Sequence, residues 1–308
     1  MLGWIIAASL LGIVLAELLV WTGRLPTGAA VAAWAGRHGL ALDEQTTGDA
    51  VRRQLRRGRV ARTLGFLAAF AIGEGASLYW THLHLPSLLS GPPLPVPFSV
   101  LASPSGWAAG YLAGALVGEL TRPRPGPGRL RAAALTPRTL GGYLSAGMLA
   151  AERLVAVAVI ALGPLALAVR GPLPESWTFL HPGTDAGITD GVVAAVVAGL
   201  VEVGLRMVVR RAQPVASTAA LAIDNALRST TVHRVAAAGL AVQFFLLSEQ
   251  GPAAFSRMGW SYRLDWLSVA AFWLGVGCVA LAIGAWTDRG TLSWWPLPGP
   301  TGRERSRR

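Results

Sequence analysis

The chain of 308 residues is 53% hydrophobic and 14% charged, whereas a soluble domain carries roughly 25% charged residues. Its net charge of +11 comes from arginine, because lysine is absent. These arginines flank apolar segments, where membrane topology accounts for them better than nucleic acid does, so we expect a membrane protein with no nucleic-acid partner. The single cysteine, Cys278, lies in an apolar segment and excludes a disulfide framework within one chain.

Seven apolar segments of about 20 residues, the length that crosses ~30 Å of hydrocarbon, predict an all-α polytopic protein of the cell membrane. The first lacks a basic start and a cleavage site, so we interpret it as a retained span. Arginines concentrate in alternate loops, which by the positive-inside rule places the N-terminus outside and the C-terminus in the cytoplasm. One transmembrane domain then covers residues 1–290, with a basic cytoplasmic tail over 291–308. The predicted spans are about 2–22, 64–81, 100–120, 141–169, 191–209, 234–249 and 266–287.

The long loop before the second span carries a run of arginines. Thr47 is a suitable cap for a helix that begins at Asp49 and continues to Arg62. The arginines of this helix either bind anionic lipid headgroups, at about 1 kcal/mol per basic residue, or only fix the topology. The residues concerned are Arg52, Arg53, Arg56, Arg57 and Arg59.

The second span contains one acidic residue, Glu74. It follows Arg62 by twelve residues, about 18 Å along a helix, which places it near the middle of the membrane. No arginine stands three or four positions away to neutralise it. Such a carboxyl is either a proton or cation site or a neutral acid hydrogen-bonded to a neighbouring helix.

The third span carries a stripe of glycines at every fourth position. Small residues at this spacing let two helix backbones approach closely, which is how helices associate in lipid. We expect another helix to pack on this stripe, which comprises Gly106, Gly110, Gly114 and Gly118.

Further polar residues occur within the predicted spans. Glu202 and Arg206 are four positions apart in the order that favours an ion pair on one helix face. Glu152 and Arg153 are adjacent, so they cannot face each other and each needs a partner on another helix. Gln243 lies in the sixth span, the shortest of the seven.

The loop over 211–233 has the apolar spacing of a short interfacial helix. Asp224 and Asn225 form an isolated polar pair in it, and His82 and His84 are too few for a zinc site. The chain has no phosphate-binding glycine loop with its lysine, no H-E-x-x-H and no nucleophile elbow. We therefore expect no enzyme activity, no metal and no cofactor.

Two features suggest an internal repeat. The sequence RTLG opens the second and fourth spans, at 62–65 and 138–141, and a Gly-Pro pair follows each even-numbered span at 80-residue intervals, from Gly91, Gly171 and Gly251. These features indicate either three parallel hairpin repeats followed by a seventh helix or similar topology signals in a biased composition.

Three loop motifs carry a resemblance to a known group. They are VRRQLRRGRVARTLG, LTRPRPGPGRLRAAALTPRTLGGYL and RRAQP followed by AIDNALRS. They resemble the arginine-rich cytoplasmic loops of a group of actinobacterial integral membrane proteins, and the resemblance extends over most of the chain. It implies neighbouring genes for a transcriptional regulator or an export ATPase, and it supplies no catalytic residues.

These observations lead to two expectations about function. The first is a transport-related, permease-like or accessory subunit of an export system, in which a separate ATPase docks on the cytoplasmic loops and Glu74 with the Glu202–Arg206 pair lines a polar path. The second is a non-transporting scaffold or sensor coupled to a cytoplasmic partner, in which the intramembrane charges only hold helices together. Anionic lipids are expected partners under both functions, and the sequence does not decide whether the chain forms homo-oligomers.

Overall fold

The computed structural model describes residues 28–40, 45–83, 103–122, 139–169, 186–211, 218–257 and 261–284. All regular secondary structure in these ranges is helical, in agreement with the predicted all-α class. The predicted first span over 2–22 and the basic tail over 291–308 lie outside the described residues. The helices are α1 (Gly28–Arg37), α2 (Gln45–Leu83), α3 (Pro104–Leu120), α4 (Ala146–Val169), α5 (Ala186–Arg210), α6 (Thr218–Arg257) and α7 (Ser261–Gly284), with a 3₁₀ turn at Leu140–Gly142.

The chain divides into two compact units, Met1–Arg57 and Gly58–Arg308. In the first unit, α1 buries Val31, Trp34 and Ala35, whose spacing is that of one helix face. The start of α2 buries Val51 and Leu55 in the same way. Helix α1 was not predicted, because its alanines and glycines give no clear apolar period.

Helix α6 is the centre of the second unit. It packs against α3, α4, α5 and α7, and Val232, Val235, Val242 and Leu246 are completely buried. The predicted sixth span of 234–249 lies within this longer helix, and the prediction of a separate short interfacial helix is wrong for residues 218–233. Residues 218–233 instead form the first turns of α6, where Arg228 is also fully buried.

Other helix boundaries differ from the prediction for local reasons. Helix α2 is continuous, so the arginine-rich helix and the second span are one element. Helix α4 begins at Ala146 rather than near 141, because the 3₁₀ turn precedes it. Helix α3 begins at Pro104 after the cap Ser103, whose Oγ accepts a hydrogen bond from the Gly106 N–H at 3.5 Å; proline suits this first position because its missing N–H is not needed there.

The direction of the helices from α2 to α7 alternates. Contacts between neighbouring helices join an earlier part of one helix to a later part of the other, or the middles of both. The contacts that establish this order are Gly65 with Gly110, Ser105 with Glu249, Arg122 with Asp224, Arg153 with Glu202, Gln243 with Ala194, and Gly275 with Phe245. Within the second unit, the helix ends near Arg59, Arg122, Arg210 and Arg228 therefore lie together at one end, called the basic end below.

Two stretches in the described part of the chain are long and apolar enough to cross a membrane, Gly191–Arg210 and Ala220–Gly251. The first is less than half buried, whereas the second, within α6, is mostly buried and also suits the core of the bundle. Trp266–Ala282 is a shorter apolar stretch.

The outer faces of several helices are apolar. On α5 the exposed residues recur every three or four positions, opposite the face that packs on α6, and α4 and α7 carry similar faces. The exposed residues are Val192, Val196, Leu200, Val203 and Met207 on α5, Leu154, Val157 and Leu165 on α4, and Trp266, Val269 and Trp273 on α7.

Candidate functional site

The glycines of the predicted stripe form a close crossing between α3 and α2. Gly110 lies against Gly65, and Gly114 lies against the Ala61 carbonyl, so that an added Cβ at either glycine would overlap the facing helix. Gly118 continues the contact toward Ala61, and Gly106 is buried at the start of α3. Only glycine allows the two helix backbones to lie this close, and the crossing holds α2 against α3.

Charged residues on α3 and α6, and on the short segments that follow α3 and α5, form a network at the basic end. We call Glu119, Arg122, Arg211, Asp224 and Arg228 the basic-end network. Asp224 accepts from Arg122 at 2.9 Å and from Arg228 at 2.7 Å. Asp224 and Asn225, a polar pair without a second acidic motif in the sequence, thus both have partners in the structure, since Asn225 accepts from the Tyr143 hydroxyl at 3.2 Å.

Arg228 closes the carboxyl end of α5. Its side chain is 0% exposed, and its Nη1 donates to the carbonyls of Val208 and Val209 at 3.1 and 3.0 Å. The last carbonyls of a helix have no partner within the helix and carry partial negative charge. The Arg228 guanidinium donates hydrogen bonds to two of these carbonyls, and the Asp224 carboxylate balances its charge. These contacts explain how a charged group of α6 can be buried.

Arg211 donates hydrogen bonds to backbone carbonyls at the carboxyl end of α3. Its Nη1 donates to the Glu119 carboxylate at 2.9 Å and to the Glu119 carbonyl at 3.2 Å, and its Nη2 donates to the Arg122 carbonyl at 2.9 Å. Burial and the neighbouring Arg122 lower the pKa of Arg211, while Glu119 opposes them; the guanidinium stays charged because its ordinary pKa is so high. Glu119 thus ties the end of α3 to the residue that follows α5.

The amino-terminal end of α3 is closed by an acid from α6. Glu249 accepts from the Ser105 backbone N–H at 3.2 Å and from the Ser105 hydroxyl at 2.9 Å. A carboxylate is favoured at a helix amino-terminus by the exposed N–H groups and the helix dipole. Sequence reasoning missed Glu249; the Ser103-Pro104-Ser105 start of α3 identifies the cap but not its distant partner.

The predicted Glu202–Arg206 ion pair forms, with Arg206 Nη2 at 2.7 Å from Glu202 Oε1. Arg153 of α4 donates to the same oxygen at 2.9 Å, so it has the partner on another helix that its position required. The adjacent Glu152 points inward and is 2% exposed. Its Oε1 is buried without a hydrogen-bond partner in the described ranges.

Glu74 is only half-buried in α2, so its predicted burial is partial. It makes no ion pair with Arg153 or Arg206, both of which donate to Glu202. The adjacent Gly75 faces open space. The structure therefore does not bring Glu74 together with the other polar residues predicted for a path.

Gln243 lies deep in the bundle and is 0% exposed. Its Nε2 donates to the Ala194 carbonyl on α5 at 3.0 Å, whereas its Oε1 has no partner among the residues that the structure describes. Gln250, two helical turns further along α6, is also buried with both amide atoms unpartnered in those residues. Helix α6 thus carries two buried amides with unused hydrogen-bonding capacity in the described ranges, and the first of them lies at the interface with α5.

The arginines predicted to meet lipid headgroups separate into two sets. Arg53, Arg56 and Arg57 are exposed and Arg52 is half-buried. Arg59 is buried, which contradicts a role as an exposed headgroup ligand. Its burial follows from the helix, since it lies four and eight positions after the buried Leu55 and Val51, on the same face.

In the described ranges no group of three His, Cys, Asp or Glu residues is placed to hold a metal ion. The chain matches no family model, no curated protein sequence and no solved structure.

Proposed function

We propose that this chain is a multi-pass protein of the cell membrane, with seven spans and the basic end in the cytoplasm. The support is the distribution of apolar surface: the outer faces of α4, α5 and α7 expose large aliphatic and aromatic side chains along their length. Monomeric soluble proteins rarely expose apolar patches beyond a few hundred Å², whereas such faces are stable against lipid. The alternating helix directions and the arginines at one end agree with the positive-inside rule.

Reporter fusions test this topology. Fusions after residues 130 and 215 should report the cytoplasm, and fusions near residues 180 and 258 the outside. The protein should also stay in the membrane fraction after carbonate washing. A periplasmic signal at residue 130, or release by carbonate, would contradict the proposal.

The function that these residues support best is transport-related, as a permease-like or accessory subunit of an export system. The observation that carries it is a set of buried polar atoms on α4 and α6 that have no hydrogen-bond partner among the described residues, namely Glu152 Oε1, Gln243 Oε1 and the Gln250 amide. Polar groups inside a membrane protein are costly and mark substrate and ion pathways. The chain has no nucleotide-binding motif, so energy comes from a separate protein, consistent with the resemblance to proteins encoded beside export ATPases.

Affinity purification from native membranes tests the need for an energy source, and a stoichiometric ATPase is expected. A deletion strain complemented with Glu152→Gln or Gln243→Leu should show the same altered tolerance to exported compounds as the deletion itself. Arg53→Gln, on the exposed arginine face, is the control and should complement fully. Full complementation by both core variants, with no ATPase recovered, would contradict the transport role.

A scaffold or sensor is the second candidate, and the basic-end network favours it. Five charged groups there bond one another and the ends of helices, as expected of groups that hold helices in register rather than of groups that bind a substrate. This role predicts that core variants such as Gln243→Leu keep function, whereas a changed cytoplasmic surface loses the partner.

A further inference from the structure

We propose that Arg153 and Arg206 bind the phosphate of an anionic phospholipid from the cytoplasmic leaflet, at the junction of α4 and α5. This site is separate from the arginine helix considered above for lipid headgroups. The inference rests on the proposed membrane location. It does not depend on whether the protein transports anything.

The two guanidinium groups converge on one point. Arg153 Nη2 and Arg206 Nη2 lie 2.9 and 2.7 Å from the same atom, Glu202 Oε1. The two nitrogens are therefore at most 5.6 Å apart, the sum of these two distances. Two guanidiniums held this close by a shared carboxylate form a fork with the geometry that suits a phosphate.

Most of the donors in this fork face outward. A guanidinium has five N–H donors, and within the described ranges each of these arginines donates only to Glu202. The Arg153 and Arg206 side chains are 53% and 57% exposed, whereas Glu202 is 22% exposed. The surface thus presents two positive groups against one negative group, and an additional anion satisfies both the charge and the unused donors.

The surroundings select a lipid over a free anion. The exposed neighbours along the two helices are apolar, Leu154 and Val157 on α4 and Val203 and Met207 on α5. In the proposed orientation these side chains meet acyl chains, and an excess guanidinium charge facing hydrocarbon is costly without a partner. A phospholipid supplies an anionic phosphate and acyl chains together, whereas inorganic phosphate makes no favourable contact with the apolar neighbours.

The depth of the pair also fits a headgroup. Arg206 lies four residues before the end of α5 at Arg210, and Arg153 lies seven residues after the start of α4 at Ala146. At 1.5 Å per residue these distances are about 6 and 10 Å from the basic end. Long arginine side chains at such depths extend toward the interface, where the phosphates of the cytoplasmic leaflet lie.

Native mass spectrometry of the full-length protein in detergent tests the site, with phosphatidylglycerol, phosphatidylcholine and inorganic phosphate as probes. The wild type should retain phosphatidylglycerol in preference to phosphatidylcholine, with no competition from inorganic phosphate at equal concentration. The double variant Arg153→Gln with Arg206→Gln should bind phosphatidylglycerol at least tenfold more weakly. The matched control for the single arginine, Arg210→Gln, removes an exposed arginine one turn beyond Arg206 on the same helix, outside the fork, and should leave binding unchanged.

A second variant distinguishes weaker lipid binding from unfolding of the double variant. Arg206→Gln alone keeps the Arg153–Glu202 bond between the helices and should weaken binding at least threefold while the protein remains monodisperse. Equal binding of phosphatidylglycerol by wild type and Arg206→Gln would overturn the inference, as would equal retention of phosphatidylcholine or an arginine-dependent dimer without lipid. Release of the wild type from membranes by carbonate is a different failure, which contradicts the membrane location itself.

Discussion

Single charged residues in this protein complete the hydrogen bonding of helices other than their own. Arg228 on α6 bonds the last carbonyls of α5, and Arg211 bonds the end of α3. Glu249 on α6 bonds the start of α3. Since unsatisfied groups at buried helix ends cost free energy, these side chains contribute to stability through both charge and backbone contacts.

The Asp224–Arg228 bond gives a prediction at this scale. Asp224→Asn should destabilise the fold by about 3–5 kcal/mol, because the fully buried Arg228 loses its counter-charge. Chemical denaturation in detergent measures the change, and the exposed Arg53→Gln should stay within about 0.5 kcal/mol of wild type. The double variant Asp224→Asn with Arg228→Met should recover part of the loss. A loss no larger than that of Arg53→Gln would show that the network does not stabilise the protein.

Glu152 and Glu202 should respond differently to the same neutral substitution. Glu152→Gln replaces a carboxyl whose Oε1 has no partner in the described residues, so unfolding free energy should change by less than about 1 kcal/mol. Glu202→Gln leaves Arg153 and Arg206 without their shared anion, and partial exposure limits the loss to about 1 kcal/mol. Detergent denaturation of both variants makes the comparison. A loss of several kcal/mol for Glu152→Gln would instead mean that Glu152 is one half of a buried ion pair.

At the scale of elements, α3 is fixed along its whole length by other helices. Glu249 binds its start, α2 crosses its glycines, and Arg211 binds its end. Each of these contacts constrains a helix of only 17 residues. Such multiple attachment compensates for a helix that has few large side chains to bury.

Two glycine-to-alanine substitutions should separate the crossing from ordinary helix propensity. Gly114→Ala should destabilise by about 1–3 kcal/mol, because the methyl group overlaps the backbone of α2 at Ala61. Gly199→Ala on α5 meets open space and should stabilise by up to about 1 kcal/mol through helix propensity. Thermal unfolding in detergent compares the two. If Gly114→Ala and Gly199→Ala have the same melting temperature, the close crossing of α2 and α3 does not exist.

Some elements could be predicted from the sequence and others could not, for a physical reason. Apolar period and length predicted α5 within a few residues, and the four-residue spacing predicted the Glu202–Arg206 pair, since both are local patterns. The first turns of α6 were missed because Asp224 and Arg228 count as polar in any hydropathy window. Their burial depends on Arg122, 102 positions away, and on the end of α5. Contacts at such separations have no signature in one sequence.

At the largest scale, the second unit is a helix bundle that buries charged groups while the exposed faces of α4, α5 and α7 are apolar. Helix α6 buries Asp224, Arg228 and Gln243, and helices that pack against it direct valines, leucines and tryptophans outward. This reverses the arrangement of a soluble domain, where polar residues cover the surface. A bilayer accounts for both features, since it solvates the apolar exterior and makes internal pairing of charges necessary.

Spin labels provide a test of this arrangement in reconstituted vesicles. In a Cys278→Ala background, labels at Val157, Val196 and Val269, all on exposed faces, should be relaxed by apolar oxygen more than by a water-soluble nickel complex. A label at Arg53, exposed on the arginine-rich part of α2, should show the opposite preference, and one at Val232, fully buried in α6, should be protected from both. Greater relaxation by the nickel complex at Val157 and Val196 would mean that these faces contact water, and the membrane location would fail for α4 and α5. Greater relaxation by oxygen at all three exposed sites would establish lipid contact on three helices, α4, α5 and α7.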